Sequence, residues 1–164
     1  MSIVRALFPL ACLVVFASCT PPAGNGSAPA GNESGSAASS ALAANCEAPA
    51  VPLALGASVN GDITAASSYP ANARYYCVNV GEGVSQVTME LSGMSVDLDL
   101  YVGHGNLDSV QGVDISAGEN YEWKSNAFGT GNEQVVISTP RPGIYYAEIV
   151  SFEGQASSYT FSAR

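Results

Sequence analysis

The chain has 164 residues and is poor in positive charge. Lysine and arginine together number 5 against 14 acidic residues, which gives a formal net charge of -9 at neutral pH. Such a surface repels phosphate groups, so it disfavours nucleic acid and anionic lipid headgroups as partners. Cations, neutral polysaccharides and basic protein surfaces remain compatible with it.

Side-chain arrangements that carry catalysis are also missing. The sequence has no G-x-S-x-G, P-loop, C-x-x-C or H-E-x-x-H motif, and His104 is its one histidine. A Ser–His–Asp set of His104, Asp108 and a nearby serine would rest on proximity in the sequence alone. A solvated histidine on a loop directly after a strand is the simpler interpretation. We therefore predict that the protein is not an enzyme.

Helical periodicity is absent from residue 46 onward. Short runs of alternating apolar and polar residues are separated, roughly every eight to twelve residues, by Gly, Pro, Asn, Asp and Ser, which is typical of an antiparallel sandwich or barrel. We expect strands 134–138 and 144–150 to pair across the turn between them. The pattern predicts about eight strands, with an opening strand and turn over 52–64 and further strands over 74–80, 85–91, 96–102, 121–124, 134–138, 144–150 and 157–162.

Residues 1–19 are predicted to be a signal peptide. Arg5 supplies a positive N-terminal region, and the apolar run over 6–17 is too short to span a bilayer. Phe16, Ala17 and Ser18 before Cys19 resemble a bacterial lipobox, which predicts cleavage before Cys19 and its lipidation. Thr20 in the next position, by resemblance to Gram-negative lipoproteins, indicates the outer membrane. Cleavage nearby without a lipid, giving a periplasmic or secreted protein, is the alternative.

Residues 20–45 are predicted to form a disordered linker. Leu42 is their one large apolar residue and Glu33 their one charged residue, so little is available to offset the entropy of ordering. A flexible chain of this length has a root-mean-square span of about 28 Å. The linker therefore lets a domain stand off the membrane surface.

The four cysteines divide into distinct roles. Cys12 lies in the signal peptide and Cys19 is the lipidation site, which leaves Cys46 and Cys77 in an oxidising compartment. We predict a disulfide that closes a loop of about 32 residues and stabilises the fold by about 3–4 kcal/mol. Two unpaired buried thiols are the alternative. These cysteines and the distant His104 make no recognisable zinc ligand set.

Residues 96–102 alternate without a break, which predicts a strand with Leu98, Leu100 and Val102 in the core. Asp97 and Asp99 then share the opposite face, about 7 Å apart. They do not continue as a calcium loop, and a glycosidase acid–base pair would need a sugar-binding cleft. We expect the two aspartates to keep this face wet and to block edge pairing with another sheet.

With these strands in place, residues 46–164 resemble the bacterial pre-peptidase C-terminal domain. The resemblance implies an all-β, antiparallel β-sandwich of jelly-roll type. In that family the domain is usually appended to secreted proteases; related domains of clostridial collagenases bind collagen and calcium, and others are credited with polysaccharide or substrate binding. No protease precedes the domain here, so we expect the linker and domain to form the whole mature protein. The matching motifs, in family order, are residues 74–83, 87–93, 97–102, 132–137, 142–146 and 158–161.

The resemblance also suggests a calcium site, because some related domains bind calcium. In calcium-binding members, acidic ligands lie in the N-terminal linker and in the loop before the first Tyr-Tyr strand. The oxygen donors remaining here are Glu47, Asp62 and Asn72, which fall short of the six to eight oxygens that calcium prefers. We expect no cofactor, with calcium at these residues as the alternative.

Outward-facing aromatic residues are the candidates for ligand binding. The strand register points Tyr75, Tyr101 and Tyr146 outward, with Trp123 nearby. Exposed rings offer apolar area at little entropic cost, so such a strip would suit a polyproline-like or carbohydrate chain. In the alternative interpretation, each ring covers the outer sheet on its own.

These features together predict a non-catalytic, monomeric lipoprotein of the cell envelope. Its β-sandwich is expected to bind an extracellular polymer or protein, collagen-like or polysaccharide, and to meet the membrane through the lipid anchor alone. The alternative is a structural or accessory envelope module that assists a separate secreted peptidase and has no polymer ligand.

Overall fold

The computed structural model describes residues 45–110, 120–151 and 153–164. The predicted signal peptide, the lipidation site Cys19 and nearly all of the predicted linker lie outside these residues. Within them, no helix is long and apolar enough to cross a membrane.

The described chain is all-β, as predicted, with one short 3-10 helix at Leu107–Ser109. Its strand bounds differ from the predicted ones by a few residues at most. The nine strands are β1 (Val51–Pro52), β2 (Ala57–Ile63), β3 (Ala73–Val80), β4 (Gln86–Ser92), β5 (Asp99–His104), β6 (Trp123–Ser125), β7 (Glu133–Ser138), β8 (Gly143–Val150) and β9 (Ser157–Ala163).

Two sheets form a sandwich. One has five strands in the order β1-β3-β8-β5-β6, and the other has four in the order β2-β9-β4-β7. All pairs are antiparallel except β1 with β3. From β2 onward, each connection carries the chain to the other sheet, except the connection from β5 to β6, which stays in one sheet. This is the jelly-roll arrangement that the family resemblance predicted.

The predicted pairing of residues 134–138 with 144–150 is wrong. Strand β7 pairs with β4, whereas β8 pairs with β3 and β5 in the other sheet. Pro140 and Pro142 lie in the connection, where proline fixes φ and removes a backbone donor. Thr139 adopts a positive φ of 50° and donates its N–H to the Ser85 carbonyl at 2.8 Å. The connection therefore carries the chain across the sandwich instead of closing a hairpin.

The main core lies between the two sheets. Leu98, Leu100 and Val102 are fully buried in it, as the alternation predicts. The Tyr76 ring stacks on Phe161 with centroids 4.9 Å apart, which joins β3 of one sheet to β9 of the other. The alternating apolar residues of facing strands thus provide the interior that holds the sandwich together.

A second apolar cluster covers the outer face of the five-stranded sheet. The Cys46–Cys77 disulfide, whose Cα atoms are 6.1 Å apart, confirms the predicted pairing and ties the start of the domain to β3. Leu107 of the 3-10 helix packs on the same face. Both faces of this sheet are therefore covered. The buried members of this cluster are Ala73, Tyr75, Cys77, Tyr101, Leu107, Val110, Tyr146 and Val150.

Candidate functional site

The predicted strip of exposed tyrosines is not at the surface. Tyr75, Tyr101 and Tyr146 do lie on the outer face of their sheet, but they are only 6%, 4% and 0% exposed. The predicted exposure is wrong because segments outside the strands cover that face. Trp123 is half-buried on the core side, with its ring centroid 5.8 Å from that of Tyr145. The four residues therefore do not form a common exposed platform.

The hydroxyl groups of the three tyrosines make internal hydrogen bonds. The Tyr146 hydroxyl oxygen accepts from the Glu47 backbone N–H at 3.0 Å. The Tyr101 hydroxyl donates to Asp99 Oδ2 at 3.4 Å. The Tyr75 hydroxyl donates to Glu148 Oε1 at 3.0 Å and also contacts the Tyr69 hydroxyl. These contacts join the tyrosines to the covering segments and to buried acids.

Glu148 is the most deeply buried acid of this face. It lies opposite Tyr75 on one neighbouring strand and Tyr101 on the other, and its side chain is 0% exposed. Its Oε2 atom has no hydrogen-bond partner among the described residues. Burial raises the pKa of Glu148 to about 8, although hydrogen bonds from Tyr75 and Tyr69 act in the opposite direction. Burial therefore favours the protonated form of Glu148 in the folded protein far more than in an exposed glutamate.

Asp97 and Asp99 do not form a solvated face, so that prediction is wrong. Asp99 is 9% exposed, and burial followed by the charges of Asp97 and Glu133 raises its pKa to about 7. Asp97 is half-buried, and its Oδ1 atom has no hydrogen-bond partner in the described parts of the chain. The interior thus holds carboxyl groups that the alternating pattern assigns to water.

The three calcium candidates have separate surroundings. Glu47 Oε2 accepts from the Leu107 N–H at 3.4 Å on the outer face of the five-stranded sheet. Asp62 lies exposed on β2 in the other sheet, and Asn72 Nδ2 donates to the Ser151 carbonyl at 2.8 Å. Across residues 45–110, 120–151 and 153–164, no group of three or more His, Cys, Asp or Glu side chains is placed to hold a metal ion.

His104 ends strand β5 and is half-buried, so its predicted place on a solvated loop is wrong. Its ring meets the Tyr145 ring edge at a centroid distance of 4.7 Å, and its Nε2 lies 3.3 Å from the Pro142 carbonyl oxygen. Asp108 is exposed, and no hydrogen bond joins it to His104 within the described chain. The structure therefore does not assemble the Ser–His–Asp set considered from the sequence.

An apolar pocket opens beside the start of β3. Its cavity volume is about 270 Å³. Val51 of the two-residue strand β1 forms one wall and is 52% exposed. Tyr75 is the one predicted binding candidate that reaches this pocket. The lining includes Pro49, Val51, Pro70, Arg74 and Tyr75.

Arg74 places a cation at this pocket. Its Nη1 donates to the Ala73 carbonyl at 2.8 Å, and Ala73 also lines the cavity. Burial, and then a hydrogen bond with Tyr76, raise the pKa of Tyr159 above its ordinary range, while the charge of Arg74 acts in the opposite direction. The charge of Arg74 therefore acts on Tyr159, whose hydroxyl pairs with that of Tyr76 at 2.9 Å.

The sequence prediction did not include Arg74 or the prolines as site residues. A signal for Arg74 was present, because it falls on the inward-facing positions of its strand with Tyr76 and Val78, where a charge is unusual. No comparable signal exists for Pro49 and Pro70. They come from loops, and only the folded chain brings them to β3.

Exposed aromatic surface is sparse in the described chain. Its large exposed apolar side chains are Val51, Phe128 and Val136, of which Phe128 is the one ring. Phe128 lies on the loop between β6 and β7 and is 100% exposed. The apolar pocket beside β3, and not a flat aromatic face, is therefore taken as the candidate binding site among the described residues.

No family model and no curated protein matches this chain. Among solved structures, it is similar to the pre-peptidase C-terminal domain of collagenase from Bacillus anthracis, with a TM-score of 0.52 and 15% identity over 73% of this chain and 99% of that one. It also matches PliG, a periplasmic inhibitor of g-type lysozyme from Aeromonas hydrophila, with a TM-score of 0.39 and 14% identity over 70% of this chain and 96% of that one. The first likeness shows that the described part of the chain has a fold like that of a pre-peptidase C-terminal domain.

Proposed function

We propose that the protein is an exported, non-catalytic binding module, lipid-anchored through Cys19, whose β-sandwich binds an extracellular polypeptide. The apolar pocket beside β3 carries this proposal, because it is where apolar walls and a cation meet at the surface. Ligand sites are typically concave and apolar, with a few polar groups that set orientation.

The buried acids support a structural role over a catalytic one. Glu148 and Asp99 have raised pKa values, which can mark an active site. Here Tyr75 and Tyr101 donate to them inside the molecule, and both carboxyls are buried. Neither acid lines the pocket, so we assign both a structural role.

The choice of a polypeptide over a polysaccharide follows from the lining of the pocket. The tyrosine strip predicted to bind a polyproline-like or carbohydrate chain does not form, because its three rings are buried. Prolines and a valine shape the pocket instead. The similar solved structure is a domain of a collagenase, as its name states.

Retention on insoluble collagen tests the proposal. The exported protein, purified in detergent, is incubated with collagen, chitin or cellulose, each with calcium or EDTA. We expect collagen alone to retain it, independently of calcium. The variant Val51→Glu should reduce retention on the order of tenfold by placing a charge in the pocket wall.

Val136→Glu is the matched control, because Val136 is also a strand valine and is 46% exposed, but on β7 of the other sheet. It should leave retention unchanged. If no material retains the protein, the binding function is wrong and an accessory role beside a separate secreted peptidase takes its place.

A further inference from the structure

We propose that Arg74 makes the pocket selective for a carboxylate group on an extended, apolar segment of polypeptide. This inference rests on the proposed binding function and specifies the chemistry of its ligand. It concerns an arginine that forms no ion pair with any acid of the described residues in a strongly acidic protein.

The cations of the described chain have different surroundings. Arg141 pairs with Glu122 at 2.6 Å and Arg164 pairs with Glu90 at 2.7 Å. Lys124 lies over the Tyr121 ring, 5.2 Å from its centroid. Arg74 makes no ion pair within residues 45–110, 120–151 and 153–164. Since no carboxylate of the described residues pairs with it, the charge of Arg74 is available to an anionic ligand.

The strand geometry places the Arg74 charge at the rim of the pocket. The Cys77 carbonyl accepts from the Leu53 N–H at 2.9 Å, so the peptide groups of Cys77 face the side of β3 where β1 lies. Ala73, four positions earlier on the same strand, faces the same side because strand geometry repeats every two residues. The guanidinium that donates to the Ala73 carbonyl therefore reaches the open edge beside β1.

The hydrogen bond to the Ala73 carbonyl uses only part of the donor capacity of the Arg74 guanidinium. The guanidinium carries five N–H groups, of which the Ala73 carbonyl takes one. Its planar shape matches a carboxylate, which accepts two parallel hydrogen bonds. Tyr75 adds an apolar wall, because its hydroxyl is already engaged with Glu148.

The apolar walls of the pocket determine which side chains the ligand carries next to its carboxylate. Pro49, Val51 and Pro70 line a cavity of about 270 Å³, which is near the lower limit of ligand pockets. Such a volume suits a short part of a chain and not a large compact ligand. A proline or valine beside a carboxylate fits both the walls and the cation. The carboxylate has two sources, the C-terminus of a polypeptide or an Asp or Glu side chain within it.

Fluorescence anisotropy with three labelled peptides distinguishes these sources. The probes are Gly-Pro-Pro-Val with a free C-terminal carboxylate, the same peptide as its C-terminal amide, and the amide of Gly-Pro-Glu-Pro-Val. Each is titrated with the exported protein in detergent. We expect at least one carboxylate-bearing peptide to bind and the neutral amide to bind on the order of tenfold more weakly.

Arg74→Gln removes the charge but keeps an N–H donor for the Ala73 carbonyl. It should weaken the binding of the carboxylate-bearing peptides on the order of tenfold and leave the binding of the neutral amide unchanged. Arg74→Lys keeps the charge without the planar fork and should give an intermediate affinity. Arg141→Gln is the matched control, since it changes the net charge equally on an exposed arginine already paired with Glu122.

Equal binding of the neutral amide, no binding of any peptide, or full affinity in Arg74→Gln would overturn the proposal. Binding of an oligogalacturonate in preference to the peptides would also overturn it, in favour of an acidic polysaccharide. Retention on collagen that survives Arg74→Gln would remove Arg74 from the site and leave the proposed function standing. A circular dichroism melt of each variant shows whether a lost affinity reflects unfolding.

Discussion

Glu148 is fully buried on β8, and only one of its two carboxyl oxygens has a hydrogen-bond partner in the described chain. A charged carboxylate there would lack the hydration that it has in the unfolded chain. Burial therefore raises its pKa to about 8. Protonation at this residue is coupled to folding, because the two states hold the proton with different strength.

The pH dependence of stability follows from this coupling. In the unfolded chain a glutamate titrates near pH 4.3, so between about pH 4.3 and 8 the folded state holds a proton that the unfolded state has lost. The free energy of unfolding should therefore fall as pH rises through this range, by at most about 1.4 kcal/mol per pH unit for each group. Asp99 adds to the fall up to about pH 7, where its pKa lies.

Urea denaturation at a series of pH values checks this prediction. Glu148→Gln should flatten the fall most clearly between pH 7 and 8, where Asp99 contributes little. Glu82→Gln changes an exposed acid in the turn after β3 and should leave the slope as it is. An unchanged slope in Glu148→Gln would show that another group is responsible.

At the scale of elements, the segment from Cys46 to Val51 has two roles. Through the Cys46–Cys77 disulfide and the hydrogen bond from Glu47 to Tyr146, it covers the outer face of the five-stranded sheet. Through Pro49 and Val51 it forms part of the pocket. The disulfide therefore couples stability to the shape of the candidate binding site.

Cys46→Ser should lower the free energy of unfolding by about 3–4 kcal/mol, because it opens a loop whose ends are 31 residues apart. It should also weaken retention on collagen, since Pro49 and Val51 lose their attachment to β3. Chemical denaturation and the collagen assay measure the two effects. The unmodified protein under reducing conditions is the control and should match the variant. A variant as stable as the oxidised protein would contradict the prediction.

At the scale of the whole molecule, the predicted anchor decides where the domain acts. Residues 1–44 lie outside the described residues, so the role of Cys19 rests on the lipobox resemblance. Metabolic labelling with palmitate should mark the protein, and Cys19→Ser should abolish the label and release the protein from the membrane fraction. Cys12→Ser, within the predicted signal peptide, is the matched control and should keep the label. Release of the unsubstituted protein without a label would indicate plain secretion.

Local patterns account for most of the fold. The alternation of apolar and polar residues identified the strands and the side of each strand that is buried, because a strand places neighbouring side chains on opposite faces. Leu98, Leu100 and Val102 are examples of residues on a buried side. The partner of each strand was harder to predict. Strands β7 and β8 are neighbours in sequence but belong to different sheets, which depends on how all the strands share one core.

Alternation along the chain was enough to predict an all-β fold, and the number of cysteines was enough to predict the Cys46–Cys77 disulfide, since both are local properties. The jelly-roll form of the sandwich was predicted from the family resemblance and not from periodicity. The tertiary structure, by contrast, buries Tyr75, Tyr101 and Tyr146 and raises the pKa of Glu148. It also decided that Arg74 meets Pro49 and Pro70 in one pocket. Each of these results depends on contacts between segments far apart in the chain, and such contacts leave no periodic signal within any one strand.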